Sequence, residues 1–580
     1  MPDRPTPSKP DLSTDRRLRK FERHVVEEIE LVDTPTAQKA VRRERFTELK
    51  YYAAWIGLWL LLTAASLIVR APWPDDETRL LGVAWEMWSR GNLLVPYLNG
   101  EPQWYPPLFF WLVHAGWSVF GAAEWWARLV APLGVLTSLF ATQQLARLLW
   151  PEEREVARYA PLVLLGTLAL TFMVGPAMPD TWLLAFVLLA FWGLAIQWKR
   201  RDVRAVLLTT LALGAGVLTS GFIVFVYVMP VALAAPLWAR SPRPVWRHWY
   251  ADVIKAAVLA AVAFGTWVAA VGLKEGGPQA VRVLLHSWHG VPLDLFPLRQ
   301  PWWWYAWVAP VAFLPWSLLP LAWMNLWHIR REPLDTGFVF CLMWIVAPLL
   351  LLSLLPFKQV QYLLAILPAG ALLASRLLMA EDLRAVHEDK GFAGMAIPLI
   401  VAGGVLTVLP RLPRIEFLPA LLWQQSPLVG FAVMGVGIVA GWLPLKDVRK
   451  RILDLVAINV LLVTFVLLIT AHPFNAQYPL VQVGHVLAEA EARNQPIAHA
   501  GDYRGAYHFA GRLRTPIAAI EPERIAAWIA AHPNGIVVTY ANAWQPNITG
   551  PTTLLLEAPF RDSKVQVLSA QDLLTIGAVR

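Results

Sequence analysis

Apolar runs close to twenty residues long recur along this chain, parted by short polar segments. A helical run of that length matches the hydrocarbon thickness of a bilayer. The pattern predicts about thirteen membrane-spanning helices, over residues 51–68, 127–150, 160–174, 182–198, 206–218, 222–237, 253–273, 302–327, 338–355, 362–378, 393–409, 417–443 and 452–470. Residues 108–120 are also apolar, but about 13 residues cross a bilayer poorly, which predicts an interfacial helix. Charge supports this count. Lys199, Arg200, Arg201 and Arg204 fall on the cytoplasmic side only if 108–120 does not cross, and Arg330, Arg331, Lys446 and Arg449 then follow suit.

Beyond about residue 471 the periodicity changes. Residues 482–493 and 521–531 read as helices, and 496–500, 535–540 and 552–556 as strands. The expected fold class is an all-α polytopic membrane protein with a small C-terminal soluble α/β domain. Its expected parts are a basic cytoplasmic arm at 1–50, a transmembrane region at 51–470, and an external domain at 471–580. An external loop at 71–126 carries the interfacial helices. Asn547-Ile548-Thr549 matches a glycosylation sequon, a short signal.

Composition sharpens the class. The 580 residues are 57% hydrophobic and only 16% charged, which argues against a soluble globular protein. The 31 Trp suit interfacial anchoring as well as packing and stacking. The net charge of +9 is spread over inside-facing loops and the N-terminal arm, so it does not point to nucleic acid. That arm carries Arg16, Arg17, Arg19, Lys20, Arg42, Arg43 and Arg45 before the first apolar run. It reads as a cytoplasmic segment drawn to anionic lipid rather than a cleaved signal. A lone cysteine, Cys341, excludes an intramolecular disulfide.

The candidate chemistry falls on one side of the membrane and comes from five loops. It comprises Asp75-Asp76-Glu77-Thr78-Arg79, Asp180, Thr219-Ser220, Arg282 with His286 and His289, and Lys358 with Tyr362. A carboxylate can act as general base or orient an acceptor, while arginine and lysine hold a leaving phosphate. Plainer readings stand beside these. Asp76 and Asp180 can start helices, Lys358 can snorkel to headgroups, and two histidines three apart can share an interfacial face or bind a metal. No phosphate-binding glycine loop is evident.

The run Pro74-Asp75-Asp76-Glu77-Thr78-Arg79, followed by Gly91-Asn92, Val95-Pro96 and Leu98-Asn99-Gly100, resembles the first external loop of bacterial lipid A aminoarabinose transferases. These are GT-C glycosyltransferases related to protein O-mannosyltransferases. Met178-Pro179-Asp180, Trp302-Trp303-Trp304-Tyr305 through Trp316-Ser317, and Ser353 through Lys358 to Tyr362 add to the likeness. The resemblance implies catalytic roles for Asp76, with Glu77 beside it, and for Asp180. It implies substrate binding by Arg79, Tyr105, Ser220, Arg282, His286, His289, Lys358 and Tyr362. Two departures stand out. Trp104-Tyr105-Pro106-Pro107 replaces the family's Glu-Lys-Pro-Pro, and Thr219-Ser220-Gly221 replaces its Thr-Lys-Gly.

The implied activity is inverting transfer of a sugar from an undecaprenyl-phosphate donor to a lipid A-like or other periplasmic-side acceptor. The implied partners are that donor, a glycolipid or protein acceptor, and membrane lipid. The implied location is the bacterial inner membrane, with the N-terminus cytoplasmic and the site periplasmic. No cofactor is required, and a divalent metal stays open. Alternatives are a protein O-glycosyltransferase, a lipid or solute transporter, or a non-catalytic relative. A transporter predicts mid-membrane charges and repeated halves, and neither is evident.

Overall fold

The computed structural model describes residues 35–289, 300–329, 334–355, 358–379, 396–413, 426–442, 448–540, 554–560 and 563–575. Most of the N-terminal arm, the loop at 290–299, Arg330, Arg331, Lys446 and the sequon at 547–549 lie outside them, as does the His289 side chain. The chain forms two compact units, residues 1–57 and 58–580. In the first, the described residues form the start of the helix Pro35–Val69, where Lys50 lies over the Phe46 ring at 4.7 Å.

Among the described residues, seven helices are long and apolar enough to cross a membrane. They are Arg42–Val69, Glu124–Leu149, Asp180–Lys199, Val203–Ser220, Trp246–Glu275, Thr336–Leu354, and the stretch Val448–Ala492, whose apolar part is the helix Val448–Ala476. Shorter apolar helices include Leu108–Phe120, Ile223–Leu233, Leu367–Met379 and Ala396–Val408.

Several expected spans are broken rather than continuous, among them 222–237, which divides at Ala234, and two with wider breaks. Residues 160–174 divide at Gly166 and Thr167 between the helices Arg154–Leu165 and Leu168–Met173. Residues 302–327 divide between Trp304–Ala312 and Pro320–Ile329, around Pro315, whose missing N–H cannot continue a helix. In an apolar medium the freed backbone groups need partners. The two breaks supply one another. Leu168 N donates to Leu314 O at 2.7 Å, the Trp316 indole to Val163 O at 2.8 Å, and Asn459 Nδ2 to Gly166 O at 3.1 Å. Gly166 allows this approach, since a β-carbon there would meet Val456 at 2.8 Å and Trp316 at 3.1 Å.

The segment between the first two long helices holds the helices Glu77–Ser89 and Leu108–Phe120 and a short antiparallel hairpin, β1 (Tyr97–Leu98) with β2 (Glu101–Pro102). Leu108–Phe120 buries Phe109, Phe110, Val113, His114 and Trp117, a spacing that puts one face against Glu77–Ser89. His114, within the run expected to form an interfacial helix, is buried, with Nε2 2.8 Å from Ala84 O.

The C-terminal residues build a five-stranded sheet from β3 (Ile497–Ala500), β4 (Ala518–Ile520), β5 (Ile536–Tyr540), β6 (Leu554–Phe560) and β7 (Ser563–Ser569), in spatial order β4-β3-β5-β7-β6. β3 is parallel to β4 and β5, while β7 is antiparallel to β5 and β6. Alternation divides the core. Ile536, Val538, Val565 and Val567 pack with the helix Leu480–Ala492, and Val537 and Leu568 pack with Ile525, Ile529 and Leu573.

This sheet region is fastened to the hairpin segment. Asn99, at φ +54°, donates to Ile517 O at 2.9 Å and accepts from Ile517 N at 2.7 Å. The Trp85 indole donates to Leu513 O at 2.8 Å, and Trp117 stacks on Phe509 at 5.7 Å.

Candidate active site

The acidic run lies at the start of the helix Glu77–Ser89, just past the end of Pro35–Val69. Its two carboxylates at 76 and 77 have opposite surroundings. Glu77 is fully buried and pairs with Arg70, itself only 4% exposed. Oε1 accepts from Ala177 N at 2.7 Å and Arg70 Nη2 at 3.1 Å, and Oε2 accepts from Trp73 N at 2.7 Å and from Arg70 Nη1. Four donors meet four lone-pair sites, so Glu77, expected among the catalytic carboxylates, has none left for a substrate. Arg70 also donates to Gly175 O at 3.0 Å and Ala71 O at 3.0 Å. The sequence signal for Arg70 was a lone charge closing an apolar run.

Asp76 is half-exposed, at 56%, and pairs with Arg79 across one helical turn at 3.4 Å. The Arg79 guanidinium lies 5.9 Å from the Tyr105 ring, and its buried Nε has no acceptor among the described residues. Burial pushes the Tyr105 phenol pKa up, with Asp76 adding to this and Arg79 and Arg504 opposing it. Trp104 packs on Tyr105 at 4.5 Å and stacks on His286 at 5.4 Å. His286 Nδ1 is 2.8 Å from Arg282 O, and the Arg282 side chain is exposed. The aromatic pair at 104–105 therefore joins the acidic run to the helix Gly277–His289.

Asp180 opens the helix Asp180–Lys199, and no cation is ion-paired with it among the described residues. It lies close enough to Asp76, Tyr227 and Tyr362 to act on each electrostatically. Tyr362 is buried, and its carbonyl accepts from Tyr227 Oη at 2.8 Å. Lys358 is 8% exposed, with Nζ donating to Leu355 O at 2.7 Å and Gln300 O at 3.1 Å. Burial lowers the Lys358 pKa. Tyr305 grips the same turn through Gln359, donating to its carbonyl at 3.1 Å and accepting from its N–H at 3.2 Å. Tyr227 was not singled out in the sequence, and Tyr305 was named there only within an aromatic run, with no role of its own. The aromatic run at 302–305 was the available signal for the second.

Ser220 closes the helix Val203–Ser220, and its buried Oγ has no partner among the described residues. The structure thus gathers Asp76, Arg79 and Tyr105, with His286 reached through Trp104, while Asp180 is linked to Asp76 and Tyr362 by electrostatics alone. Among the described residues no group of three or more His, Cys, Asp or Glu is placed to hold a metal.

Residues 105–268 match the family model described as dolichyl-phosphate-mannose-protein mannosyltransferase. The chain is 26% identical over 318 residues to an undecaprenyl phosphate-alpha-4-amino-4-deoxy-L-arabinose arabinosyl transferase of Photorhabdus laumondii, covering 53% of this chain and 55% of that protein. It is 29% identical over 397 residues to the same-named protein of Erwinia tasmaniensis, covering 65% and 69%. Its fold is similar to that of ArnT from Cupriavidus metallidurans bound to undecaprenyl phosphate. That match has a TM-score of 0.70 and 18% identity and covers 90% of this chain and 97% of that one.

Proposed function

We propose that this chain, a GT-C membrane glycosyltransferase by fold and kinship, transfers a sugar from undecaprenyl phosphate to a lipid A-like acceptor. The observation that carries the reading is the pair of neighbouring carboxylates with opposite fates. Glu77 is saturated inside the fold, which leaves Asp76 half-exposed beside Arg79 and Tyr105. The proposed arrangement has thirteen spans, a cytoplasmic N-terminus, and the site and C-terminal α/β region on the periplasmic side of the inner membrane.

In the reaction the acceptor oxygen attacks the anomeric carbon as its bond to the phosphate oxygen breaks. The electron pair leaves with undecaprenyl phosphate, and the configuration inverts. Arg79, Lys358 and Tyr362 bind the phosphate as its charge grows. A hydroxyl acceptor gives its proton to Asp76. A phosphate acceptor is already anionic and needs no base, and Asp76 with Asp180 then stabilises positive charge on the sugar. The match to the protein mannosyltransferase model supports a second reading, with a protein hydroxyl as acceptor.

The test is incubation of purified protein with radiolabelled undecaprenyl-phosphate sugars and either lipid extract or membrane protein. Wild type should label one acceptor class, and Asp76→Asn should label neither while eluting as the same species. Transfer by the variant at the wild-type rate would remove Asp76 from the chemistry. Cytoplasmic labelling of a cysteine placed at 76, 180 or 358 would overturn the orientation.

A further inference from the structure

Arg79 is a cation that the proposed reaction needs at the phosphate, yet little on its own helix fixes where its guanidinium points. Its ion pair with Asp76 is long, at 3.4 Å, and Asp76 is 56% exposed, so the pair is weak and screened by water. Its buried Nε has no acceptor among the described residues. What remains is the Tyr105 ring, whose centroid lies 5.9 Å from the guanidinium carbon, within the range over which an aromatic face attracts a cation. The placement of Arg79 is therefore only as firm as the placement of that ring.

Tyr105 is itself held by two other rings. Phe110, buried on the helix Leu108–Phe120, meets it edge-on with centroids 6.2 Å apart. Trp104 packs on it at 4.5 Å, with the two planes 34° apart. Trp104 is the shared member of a second contact, stacking on His286 at 5.4 Å and 25°. The helix that carries His286 is pinned beside this stack, since Gln279 Nε2 donates to Gln103 O at 3.1 Å and Val283 is fully buried. Gln103 is fixed in turn by its own N–H, which donates to Pro96 O at 2.7 Å. His286, Trp104, Tyr105 and Arg79 thus form one unbroken run of contacts, anchored at its far end on the helix Gly277–His289.

Resting on the transfer reading above, we infer that Trp104 is a positioning residue for phosphate binding. Backed by His286, it holds the Tyr105 ring against which the Arg79 guanidinium is set. It acts through Arg79 and does not itself meet the substrate.

Full-length protein in detergent would be titrated with undecaprenyl phosphate, comparing wild type, Trp104→Ala, Trp104→Leu, Trp104→Phe, Arg79→Ala and the Trp104→Ala/Arg79→Ala double variant. Trp104→Ala should weaken binding roughly threefold to thirtyfold. Trp104→Leu, which fills the space without a ring, should do the same, and Trp104→Phe should recover most of the loss. In the Arg79→Ala background the Trp104→Ala change should cost nothing further, because no guanidinium is left to orient. A merely structural tryptophan would weaken binding by the same factor in both backgrounds, and that result would overturn the inference. Wild-type affinity of Trp104→Ala would overturn it as well, leaving the transfer reading in place. Failure of wild type to bind undecaprenyl phosphate, or wild-type affinity of Arg79→Ala, would instead overturn the reading of the phosphate site on which the inference rests.

Discussion

Replacing Glu77 with glutamine should unfold this protein more readily, not merely slow it. The glutamate collects four hydrogen bonds, two from Arg70 and one each from Trp73 N and Ala177 N. Glutamine keeps one carbonyl oxygen and turns an amide NH2 toward two of those donors. It also leaves a guanidinium that is only 4% exposed without its counter-charge. Removing one member of a buried pair costs about 3–5 kcal/mol, because the other charge stays desolvated and unmatched. The damage would reach three segments at once: the end of the helix Pro35–Val69, the turn at 73–77, and the loop at 175–177. Thermal unfolding of detergent-purified protein, followed by size-exclusion, reads it out. Asp76→Asn should keep the wild-type midpoint and lose transfer. Arg70→Met/Glu77→Leu removes both charges for apolar groups of similar length, and should recover much of the midpoint lost by Glu77→Gln. A wild-type midpoint for Glu77→Gln, or a double variant no better than the single, would refute this account of the pair.

Three further outcomes follow from the geometry. Burial pushes the His508 pKa from 6.5 down to about 4, so the folded chain holds this ring neutral where the unfolded chain would protonate it. Its contribution is present above 6.5 and lost as pH falls through about 4, about 3 kcal/mol in all. His508→Gln should therefore flatten the acid limb of an unfolding-versus-pH curve. Tyr305→Phe deletes both hydrogen bonds to Gln359. Each is worth about 1 kcal/mol, so the donor KM should rise by up to roughly thirtyfold with kcat nearly unchanged in steady-state assays. Lys358→Met should weaken undecaprenyl phosphate binding, measured by direct titration, while lipid A binding stays at the wild-type level.

The ends of the continuous spans were legible because charge and capping residues mark them. Residues 182–198 became Asp180–Lys199, and 338–355 became Thr336–Leu354, capped by Asp335 accepting from Phe338 N. The breaks at 166–167 and 313–319 were not. A glycine or proline inside an apolar run shows that a helix can stop, but not that a second broken helix will satisfy the freed backbone groups. In the sheet, β3 and β5 followed from their apolar runs. β4 is only three residues long, and the alternation of Val565 and Val567 in β7 was a signal left unread. In the site, adjacency hid the main distinction. Nothing in Asp76-Glu77 tells which carboxylate turns inward, because that depends on Arg70, Trp73 and Ala177 converging on residue 77. Tyr105 meets Arg79 only because the helix Leu108–Phe120 packs on Glu77–Ser89, a contact made by Phe109, Val113 and Trp117.

The positions of the charges also fit the direction of the proposed reaction. As the sugar separates from phosphate, positive charge grows on the anomeric carbon and negative charge on the departing oxygens. Asp76 and Asp180 act on one another, and Asp180 has no cation paired with it among the described residues. In the proposed reaction the two carboxylates would favour the positive charge that grows on the sugar. Lys358 has its ammonium tied to two carbonyls with one N–H to spare, and Arg79 has an unused buried Nε. Fixed donors of this kind favour anionic oxygens without reorganising as the bond breaks. Saturation of Glu77 matters to this arrangement. Arg70 neutralises Glu77, so Asp76 is the one carboxylate of the adjacent pair left to face Arg79 and, in the proposed reaction, the substrate.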